Sequence, residues 1–410
     1  MKNFSIIVFT MYSRLNHILK VVWGIVSLHI PIKKNVVCFD SFGGQYNDNP
    51  KYVSEELHRQ CPNITIVWNH SGKGKDILPN YVKIVNNSTY KGRMIFNTAQ
   101  VVVDNHTGIR SGMCYKNNII QNIFYKLKNI KRKGQLCIST FHGTPLKRIA
   151  MDEPGAHTNF VFYSSTNYVL SGCKYTSECF RTAFDNTTEI REYGTPRNDI
   201  FFNDKISVNN LKLKLGLPLD KKVVLYAPTF RNDTEISGVI QIKSIDFTKL
   251  FLALSDTFGG QWCFVFRAHN LVQQKINFDL LQKNNPMVEL INGNQHDDMA
   301  EYLKCTDILI TDYSASMFDF ALTQRPCFLY APDVNEYGRS ERGFYRNIKS
   351  LPFPVATDFK DLIEAIVQFD KERYAHKVCH LLDEIGNMED GKATKRVVED
   401  ILAFIKTSNS

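Results

Sequence analysis

The sequence lacks the cysteine spacings that mark zinc or disulfide scaffolds. Its ten cysteines include no CxxC pair, and Cys137, Cys263 and Cys327 lie inside strand-like runs, where cysteine packs as a small apolar side chain. This pattern argues against a disulfide framework and against a zinc site. It indicates reduced, buried thiols in the cytosol.

The sequence also lacks a long uninterrupted apolar run. The best candidate, HILKVVWGIVSLHIPI (17–32), contains Lys20 and is followed by Lys33 and Lys34, so it is too short and too interrupted to predict a membrane span. No small-residue cleavage site follows it, which argues against a secretory signal. Two alternatives remain for the segment 1–34: a helix lying on an anionic membrane surface, or a helix packed on its own domain.

The charged residues form neither a basic stripe nor a metal-binding cluster. The net charge of +9 suits phosphates, nucleic acid or anionic lipid as partners. The lysines are scattered, apart from KNIKRKGQ (128–135), and without a stripe or a reader motif we predict no nucleic-acid partner. Since no DxD pair and no group of acids at metal spacing occurs, we predict neither a metal nor another cofactor.

What the sequence does contain is strands alternating with helices, in two series. The 410 residues, 43% hydrophobic and 22% charged, are enough for two globular domains. The first series includes the strand-like runs NVVCFDSF (35–42) and FVFYSST (160–166), and a second series starts at KVVLYAP (222–228). Such alternation predicts an α/β fold of two Rossmann-like domains whose parallel sheets face a cleft.

A lysine-rich stretch, 204–222, marks the boundary between the two series. We therefore expect four parts: an apolar-basic N-terminal segment, two Rossmann-like domains, and a C-terminal helix that packs back on the first domain. In chain order these parts span residues 1–34, 35–205, 206–385 and 386–410.

Polar motifs follow the strands in both halves. FHGTPLKR (141–148) follows LCIST, YGTPRND (193–199) follows EIRE, APTFRND (227–233) follows VVLY, RAH (267–269) follows WCFVF, and TDYSAS (311–316) follows DILI. Because parallel strands end at the same edge of a sheet, we expect these motifs to surround one ligand cleft.

The residue types in these motifs suit an anionic ligand and a proton transfer. Thr311, Ser314 and a helix start offer hydroxyls and backbone N–H groups to a phosphate, and the alternative is an ordinary helix cap. His142 precedes a Gly-Thr-Pro turn and suits a base near neutral pH, and the alternative is a structural histidine. Arg267 and His269 face the same side of an extended segment and can hold phosphate oxygens, and the alternative is a surface pair.

The ordered set of motifs resembles a known family. FHGTPLKR, YGTPRND, VLYAPTFRND, RAH, DILITDYSASMFDFA and RGFY (342–345) occur in this order between about residues 135 and 350. Together they look like the CDP-glycerol glycerophosphotransferase family of teichoic acid primases and polymerases. The N-terminal third resembles this family more loosely, through CFDSFGGQYNDNPKYV (38–53). The resemblance implies a glycosyltransferase type B fold, with the first domain on the acceptor side and the second binding the donor.

The resemblance also implies which residues contact CDP-glycerol or a similar CDP-polyol donor. The family's proposed base matches His142, while Arg267 and His269 are implied to hold the pyrophosphate and to steady the departing CMP. Ala315 departs from the family pattern, which often has a second serine there, so a backbone N–H contact survives but a hydroxyl contact does not. The implied donor contacts are His142, Gly143, Thr144, Pro145, Leu146, Arg197, Pro228, Thr229, Arg267, Ala268, His269, Ser314, Ala315 and Asp319.

Two acids flank the TDYSAS turn, where a phosphate would repel them. We expect Asp312 to cap the turn and point away from the ligand. Asp319 lies one helical turn beyond Ala315, where its carboxylate is expected to accept a hydrogen bond from a donor hydroxyl.

The implied reaction moves glycerol phosphate, or a related polyol phosphate, to a hydroxyl of a lipid-linked acceptor in teichoic acid or capsule-type polymer synthesis, with release of CMP. Such acceptors imply a peripheral enzyme on the cytoplasmic face of the cell membrane. The compact length is closer to that of single-addition primases than to that of polymerases. A nucleotide-sugar glycosyltransferase or epimerase of the same fold is the alternative.

Overall fold

The computed structural model describes most of the chain between residues 22 and 409. The described residues are 22, 25–42, 44–70, 72, 78–86, 89–106, 111–128, 132–184, 188–229, 242, 244–267, 276–334 and 343–409. Most of the segment 1–34 therefore lies outside them, as do Ala268 and His269. Among the helices within these ranges, none combines the length and the apolar character needed to cross a membrane.

The strands follow the predicted series closely in position. They are β1 (Lys33–Asp40), β2 (Thr65–Asn69), β3 (Lys83–Val85), β4 (Ala99–Asp104), β5 (Ser111–Tyr115), β6 (Leu136–Ser139), β7 (Phe160–Ser164), β8 (Tyr168–Leu170), β9 (Glu189–Arg191), β10 (Lys222–Ala227), β11 (Trp262–Phe266), β12 (Glu289–Asn292), β13 (Ile308–Thr311), β14 (Cys327–Tyr330) and β15 (Val355–Ala356).

Helices connect most of these strands. They are α1 (Asp48–Gln60), α2 (Tyr90–Thr98), α3 (Ile119–Lys128), α4 (Ala156–Asn159), α5 (Lys174–Ala183), α6 (Val208–Lys214), α7 (Phe247–Phe258), α8 (Phe278–Asn284), α9 (Met299–Cys305), α10 (Ser316–Ala321), α11 (Phe359–Val367), α12 (Lys371–Glu384) and α13 (Ala393–Asn409). Short 3₁₀ segments occur at Ala150–Asp152, Pro196–Phe202 and Ile348–Ser350.

The first sheet is parallel throughout, with the strand order β3-β2-β1-β4-β6-β8-β9. Phe39 and Cys38 of β1 are fully buried in separate apolar clusters. Strands covered on both faces read as continuous apolar runs, which is why NVVCF shows no polar alternation. The chain reverses direction across the sheet between β1 and β4, and parallel sheets bind ligands at such switch points.

The second sheet repeats this plan with the order β12-β11-β10-β13-β14-β15, again parallel. Leu225 and Val224 of β10 are both fully buried and belong to different clusters. Its switch point lies between β10 and β13. The two sheets confirm the predicted α/β architecture of two Rossmann-like domains.

One strand was predicted in the wrong sheet. FVFYSST was expected to continue the parallel series, but β7 pairs antiparallel with β5, from Ser111 opposite Ser164 to Tyr115 opposite Phe160. Apolar periodicity shows that a strand forms but does not identify its partner. The two-stranded ribbon leaves apolar side chains of both strands exposed.

Helix α13 lies against the first domain although it follows the second in the chain. It packs along α1, and Val397, Val398 and Ile401 join the apolar cluster that covers one face of the first sheet. Trp68 lies in the same cluster. The core of the first domain therefore includes residues that follow the second domain.

We expect Ile401→Ala to lower the free energy of unfolding by about 2–5 kcal/mol, because it opens a cavity in this core. Glu399→Ala, at an exposed position of the same helix, should change it by less than about 0.5 kcal/mol. Urea denaturation followed by tryptophan fluorescence measures both, since buried Trp68 reports on the same cluster. Equal effects of the two substitutions would contradict the packing of α13.

Candidate active site

A cavity of about 300 Å³ lies between the two domains. The loop after β6 forms one wall, and residues following β10 and β13 form the other, so both switch-point regions border it. Its size is at the lower end of the range for small-molecule sites. The lining residues are Phe141, His142, Gly143, Thr144, Pro145, Leu146, Lys147, Ile149, Thr229, Tyr313, Ser314 and Ala315.

The second domain holds the FHGTPLKR loop in place through Gly343, Phe344 and Tyr345 of the RGFY motif. The backbone N–H of Tyr345 donates to the carbonyl of Leu146 (2.9 Å), and that of Arg148 donates to the carbonyl of Gly343 (3.1 Å). The ring of Phe344 packs against Tyr313, with 5.3 Å between the centroids. The loop of one domain is thereby fixed against the TDYSAS turn of the other.

The hydrogen bond of His142 leaves one ring nitrogen unprotonated, as a general base requires. Its Nδ1 lies 3.0 Å from the carbonyl oxygen of Asn105, and because a carbonyl can only accept, Nδ1 carries the proton and Nε2 is left as the acceptor. The ring stacks on Phe141 at 4.2 Å and meets the edge of Phe42 at 5.6 Å. Burial lowers the pKa of His142, although the hydrogen bond with Asn105 opposes this. The imidazole is therefore neutral near pH 7.

In the TDYSAS turn, the carboxylate of Asp312 accepts hydrogen bonds from backbone N–H groups. One oxygen of Asp312, which is fully buried, accepts from the N–H of Thr229 (2.8 Å) and of Tyr313 (2.6 Å). It thus ties the ends of β10 and β13 together. The hydroxyl of Ser314 accepts from Ser316 Oγ at 2.9 Å, while the cap position of α10 belongs to Ala315, which has no capping group.

Two predicted donor contacts, Arg197 and Asp319, do not line the cavity. Both are buried, and Asp319 accepts from Nη2 (2.6 Å) and Nε (3.1 Å) of Arg197. The second oxygen of Asp319 accepts from Asn198 Nδ2 (3.2 Å). In this structure the carboxylate therefore binds protein donors.

Arg267 also contacts protein. Its Nη1 donates to the carbonyls of Gly293 and His296, both at 2.6 Å, and its Nη2 to the carbonyl of Asp297 at 2.7 Å. Its role toward the donor stays a prediction, as do those of Ala268 and His269. Among the described residues, no group of three or more His, Cys, Asp or Glu side chains could hold a metal ion.

The structure brings eight of the predicted donor contacts to one cavity. The eight are His142, Gly143, Thr144, Pro145, Leu146, Thr229, Ser314 and Ala315. Pro228, another predicted contact, is buried next to Thr229 and does not line the cavity.

Sequence reasoning missed the start of α1. Asn49 Nδ2 donates to the carbonyl of Phe141 (2.9 Å), and Asn49 Oδ1 accepts from the backbone N–H of Arg197 (3.0 Å). Its neighbour Asp48 contacts the guanidinium of Arg197. The available signal was the polar DN pair shortly after the first strand of the first sheet, at the position where switch-point ligands bind.

The sequence matches the family model of CDP-glycerol:poly(glycerophosphate) glycerophosphotransferases over residues 24–403. The chain belongs to this family. Its members are enzymes, and the membership confirms the resemblance predicted from the ordered motifs.

Two curated relatives and a solved structure agree with this membership. The chain is 32% identical, over 92% of its length, to a teichoic acid poly(glycerol phosphate) polymerase of Staphylococcus epidermidis, of which it spans 51%. It is 29% identical, over 95% of its length, to the enzyme of the same description from Bacillus spizizenii, of which it spans 97%. The wall teichoic acid polymerase TagF matches with a TM-score of 0.79 at 28% identity, over 98% of this chain and 97% of that chain. This match confirms the predicted fold class.

Chain length does not separate single addition from polymerisation. The alignment covers 95% of this chain and 97% of the Bacillus spizizenii polymerase, so the two have nearly the same size. Compact length therefore favours neither, and whether this chain adds one unit or many stays open to test.

We expect Gly143→Ala to abolish most activity without unfolding the protein. Gly143 has φ +114°, and a Cβ there would lie 2.4 Å from Nη2 of Arg197. Gly155→Ala is the matched control, because Gly155 also has positive φ (+77°) but has open space around its Cβ position. Rates and thermal unfolding of both variants give the comparison. Similar activity losses in the two would show that the contact with Arg197 is unimportant.

Proposed function

We propose that this chain transfers glycerol phosphate from CDP-glycerol to a hydroxyl of a lipid-linked acceptor in teichoic acid synthesis, and releases CMP. The observation that carries the proposal is the neutral His142, with Nε2 as its acceptor, in an inter-domain cavity shared with the hydroxyl-bearing turn at Ser314. Family membership supplies the class of donor.

His142 takes the acceptor's proton in this mechanism. As the acceptor oxygen attacks the phosphorus that carries glycerol, its proton moves to Nε2. A new P–O bond forms, the bond between that phosphorus and the bridging oxygen of CMP breaks, and CMP leaves with the bonding electrons. Phosphoryl transfer needs positioning and charge neutralisation more than covalent catalysis.

The donor's polar groups meet hydroxyls and backbone on both cavity walls. Thr144 lies on the first-domain wall, and Thr229 and Ser314 on the second. We assign the pyrophosphate to the second-domain wall, where Asp312 is turned onto backbone N–H groups and does not repel it. Arg267 and His269 are proposed to add positive charge there. The nucleotide-sugar alternative has no support from the family match.

The direct test is CMP release from CDP-glycerol, CDP-ribitol and a UDP-sugar over defined lipid-linked acceptors. We expect release from CDP-glycerol and none from the UDP-sugar. Product masses then show how many units are added and whether ribitol phosphate is accepted. Release from the UDP-sugar alone would overturn the proposal.

The same assay examines His142. We expect His142→Ala to lower kcat about 10²- to 10⁴-fold, the usual contribution of a general base, with little change in CDP-glycerol binding. Because burial lowers the pKa of His142, kcat/KM should hold to pH values below the ordinary histidine pKa of about 6.5 and fall only as the ring becomes protonated. Near-normal turnover by His142→Ala would exclude it as the base.

The proposal includes a lipid-linked acceptor, and it therefore makes the protein a peripheral enzyme on the cytoplasmic face of the membrane. Helix α3 exposes Ile119 (71%), Ile120 (70%) and Ile123 (52%), and the adjoining β5–β7 ribbon exposes further apolar side chains. Lys116 and Lys126 are exposed beside them. Apolar side chains bordered by lysines suit an anionic lipid surface.

Liposome sedimentation with anionic lipid at low salt tests this site. We expect the wild-type protein to bind and the double variant Ile119→Glu/Ile120→Glu to bind at least about 10-fold more weakly, because it loses apolar insertion and adds repulsion. Leu252→Glu, at an exposed apolar position (59%) of α7 in the second domain, is the control. Equal binding by the double variant and the control would remove α3 from the membrane site.

A further inference from the structure

Phe42 lies beside the proposed base with its side chain partly in solvent. Its ring meets the ring of His142 edge-on, with 5.6 Å between the centroids. The side chain of Phe42 is 42% exposed, whereas that of Phe141, the other phenylalanine in contact with His142, is buried. Single exposed aromatic side chains are ordinary on protein surfaces, so exposure alone assigns no role to Phe42.

The backbone conformation of Phe42 is unusual for such a residue. Its φ is +40°, in the left-handed region, where a bulky side chain is an outlier. Such conformations persist only where surrounding contacts impose them, and they cluster at functional sites. Since the ring of Phe42 is partly exposed, its own burial does not account for the strained backbone.

A fully buried asparagine fixes Phe42 and the base together. Oδ1 of Asn105 accepts from the backbone N–H of Phe42 at 3.2 Å, and the backbone carbonyl of Asn105 accepts from Nδ1 of His142 at 3.0 Å. Nδ2 of Asn105 donates to Oγ of Ser41 at 3.0 Å, and the carbonyl of Ser41 accepts from the N–H of Gly44 at 2.8 Å. Asn105 therefore sets the position of Phe42 relative to the ring of His142.

The same network continues to the second domain. Oγ of Ser41 donates to Oδ1 of Asn47 at 2.6 Å, and Nδ2 of Asn47 donates to the backbone carbonyl of Asp297 at 3.2 Å. Ser41, Asn47 and Asp297 are all buried. The turn that carries Phe42 is thus held relative to both domains that form the cavity.

The sheet topology places Phe42 at an edge where ligands bind. Phe42 comes shortly after β1, Asn105 comes directly after β4, and His142 comes shortly after β6. Strands β1 and β4 flank the switch point of the first sheet. His142 lines the donor cavity but Phe42 does not, so Phe42 is a neighbour of the base outside the space proposed for the donor.

The proposed mechanism requires the acceptor to lie against this part of His142. A hydroxyl that gives its proton to Nε2 has to come within about 2.6–3.2 Å of that nitrogen, which brings the carbon atoms next to the hydroxyl close to the exposed neighbours of the ring. Among the described residues whose rings contact His142, Phe42 and His106 are exposed. Of these two, Phe42 offers an apolar face that the C–H groups of a polyol or a sugar cover favourably.

We infer that Phe42 contacts the acceptor and packs on the C–H groups of its terminal polyol or sugar unit while the hydroxyl of that unit meets Nε2 of His142. Asn105 is a positioning residue, because it acts through Phe42 and His142. The inference rests on the proposed function in taking His142 as the base and a hydroxyl as the acceptor group.

Phe42→Asn removes the ring but suits the backbone, because asparagine adopts positive φ readily. We expect the KM for the acceptor to rise about 10-fold through lost apolar contact, with kcat and the Kd for CDP-glycerol changed less than about 3-fold. Phe42→Tyr keeps the ring face and should keep this KM within about 3-fold of the wild-type value. Phe202→Asn is the control, since Phe202 is exposed to nearly the same extent (43%) but lies against Gly391, and it should leave all three constants unchanged.

Two acceptors with the same terminal unit, one on a short soluble chain and one on a long lipid, separate that unit from the lipid. We expect Phe42→Asn to raise KM equally for both. An increase with the long lipid alone would make Phe42 a lipid contact and overturn the inference. An unchanged KM would also overturn it, and a fall in kcat alone would make Phe42 only a support for His142.

Failure of the proposed function gives a different result. In that case the wild-type protein itself releases no CMP from CDP-glycerol with either acceptor, and the inference falls with it. CMP release by the wild-type protein, combined with an unchanged acceptor KM in Phe42→Asn, refutes the role of Phe42 alone.

Discussion

A single buried guanidinium meets a carboxylate from each of the two domains at the base of their cleft. Arg197 pairs with Asp48 at 3.0 Å and with Asp319 at 2.6 Å. In water such pairs contribute little, but here all three side chains are nearly inaccessible, so each charge depends on the others. The relative placement of the two sheets, and with it the width of the cavity, therefore depends on this contact.

A second ionic contact joins the domains further along α1. Lys51 lies 2.6 Å from Asp298 and 2.7 Å from Glu301, both belonging to the second domain. Burial opposes the charged form of Lys51, yet the two carboxylates outweigh it and raise the pKa of this lysine well above its usual value. The backbone hydrogen bond from Tyr345 to Leu146 is a third contact between the domains. Polar contacts therefore hold the two domains together. Contacts of this kind restrict the movement of one domain against the other, and the proposed transfer depends on such positioning.

The same contacts explain how acids can border the proposed phosphate site. The carboxylate of Asp312 accepts from the backbone N–H groups of Thr229 and Tyr313. The carboxylate of Asp319 pairs with Arg197. Neither carboxylate is then directed at the cavity, whose second-domain wall presents hydroxyls and backbone. Asp312 bonds to backbone N–H groups, and the expectation that it points away from a ligand stays a prediction. Asp319 was expected to accept a hydrogen bond from a hydroxyl of the donor. In this structure its carboxylate is bonded to Arg197 and Asn198, so that role stays a prediction.

The sequence by itself determined the α/β fold, the two domains and the motifs that border the cavity. Buried parallel strands need apolar runs, and polar residues that follow such strands gather at one edge of the sheet. His142 and Ser314 could be found in this way because each follows a strand directly. Only the tertiary structure decided the partner of β7 and the pairing of Asp48 with Arg197. These depend on contacts between residues far apart in the chain, and local patterns such as periodicity and spacing carry no information about which distant partner a residue meets.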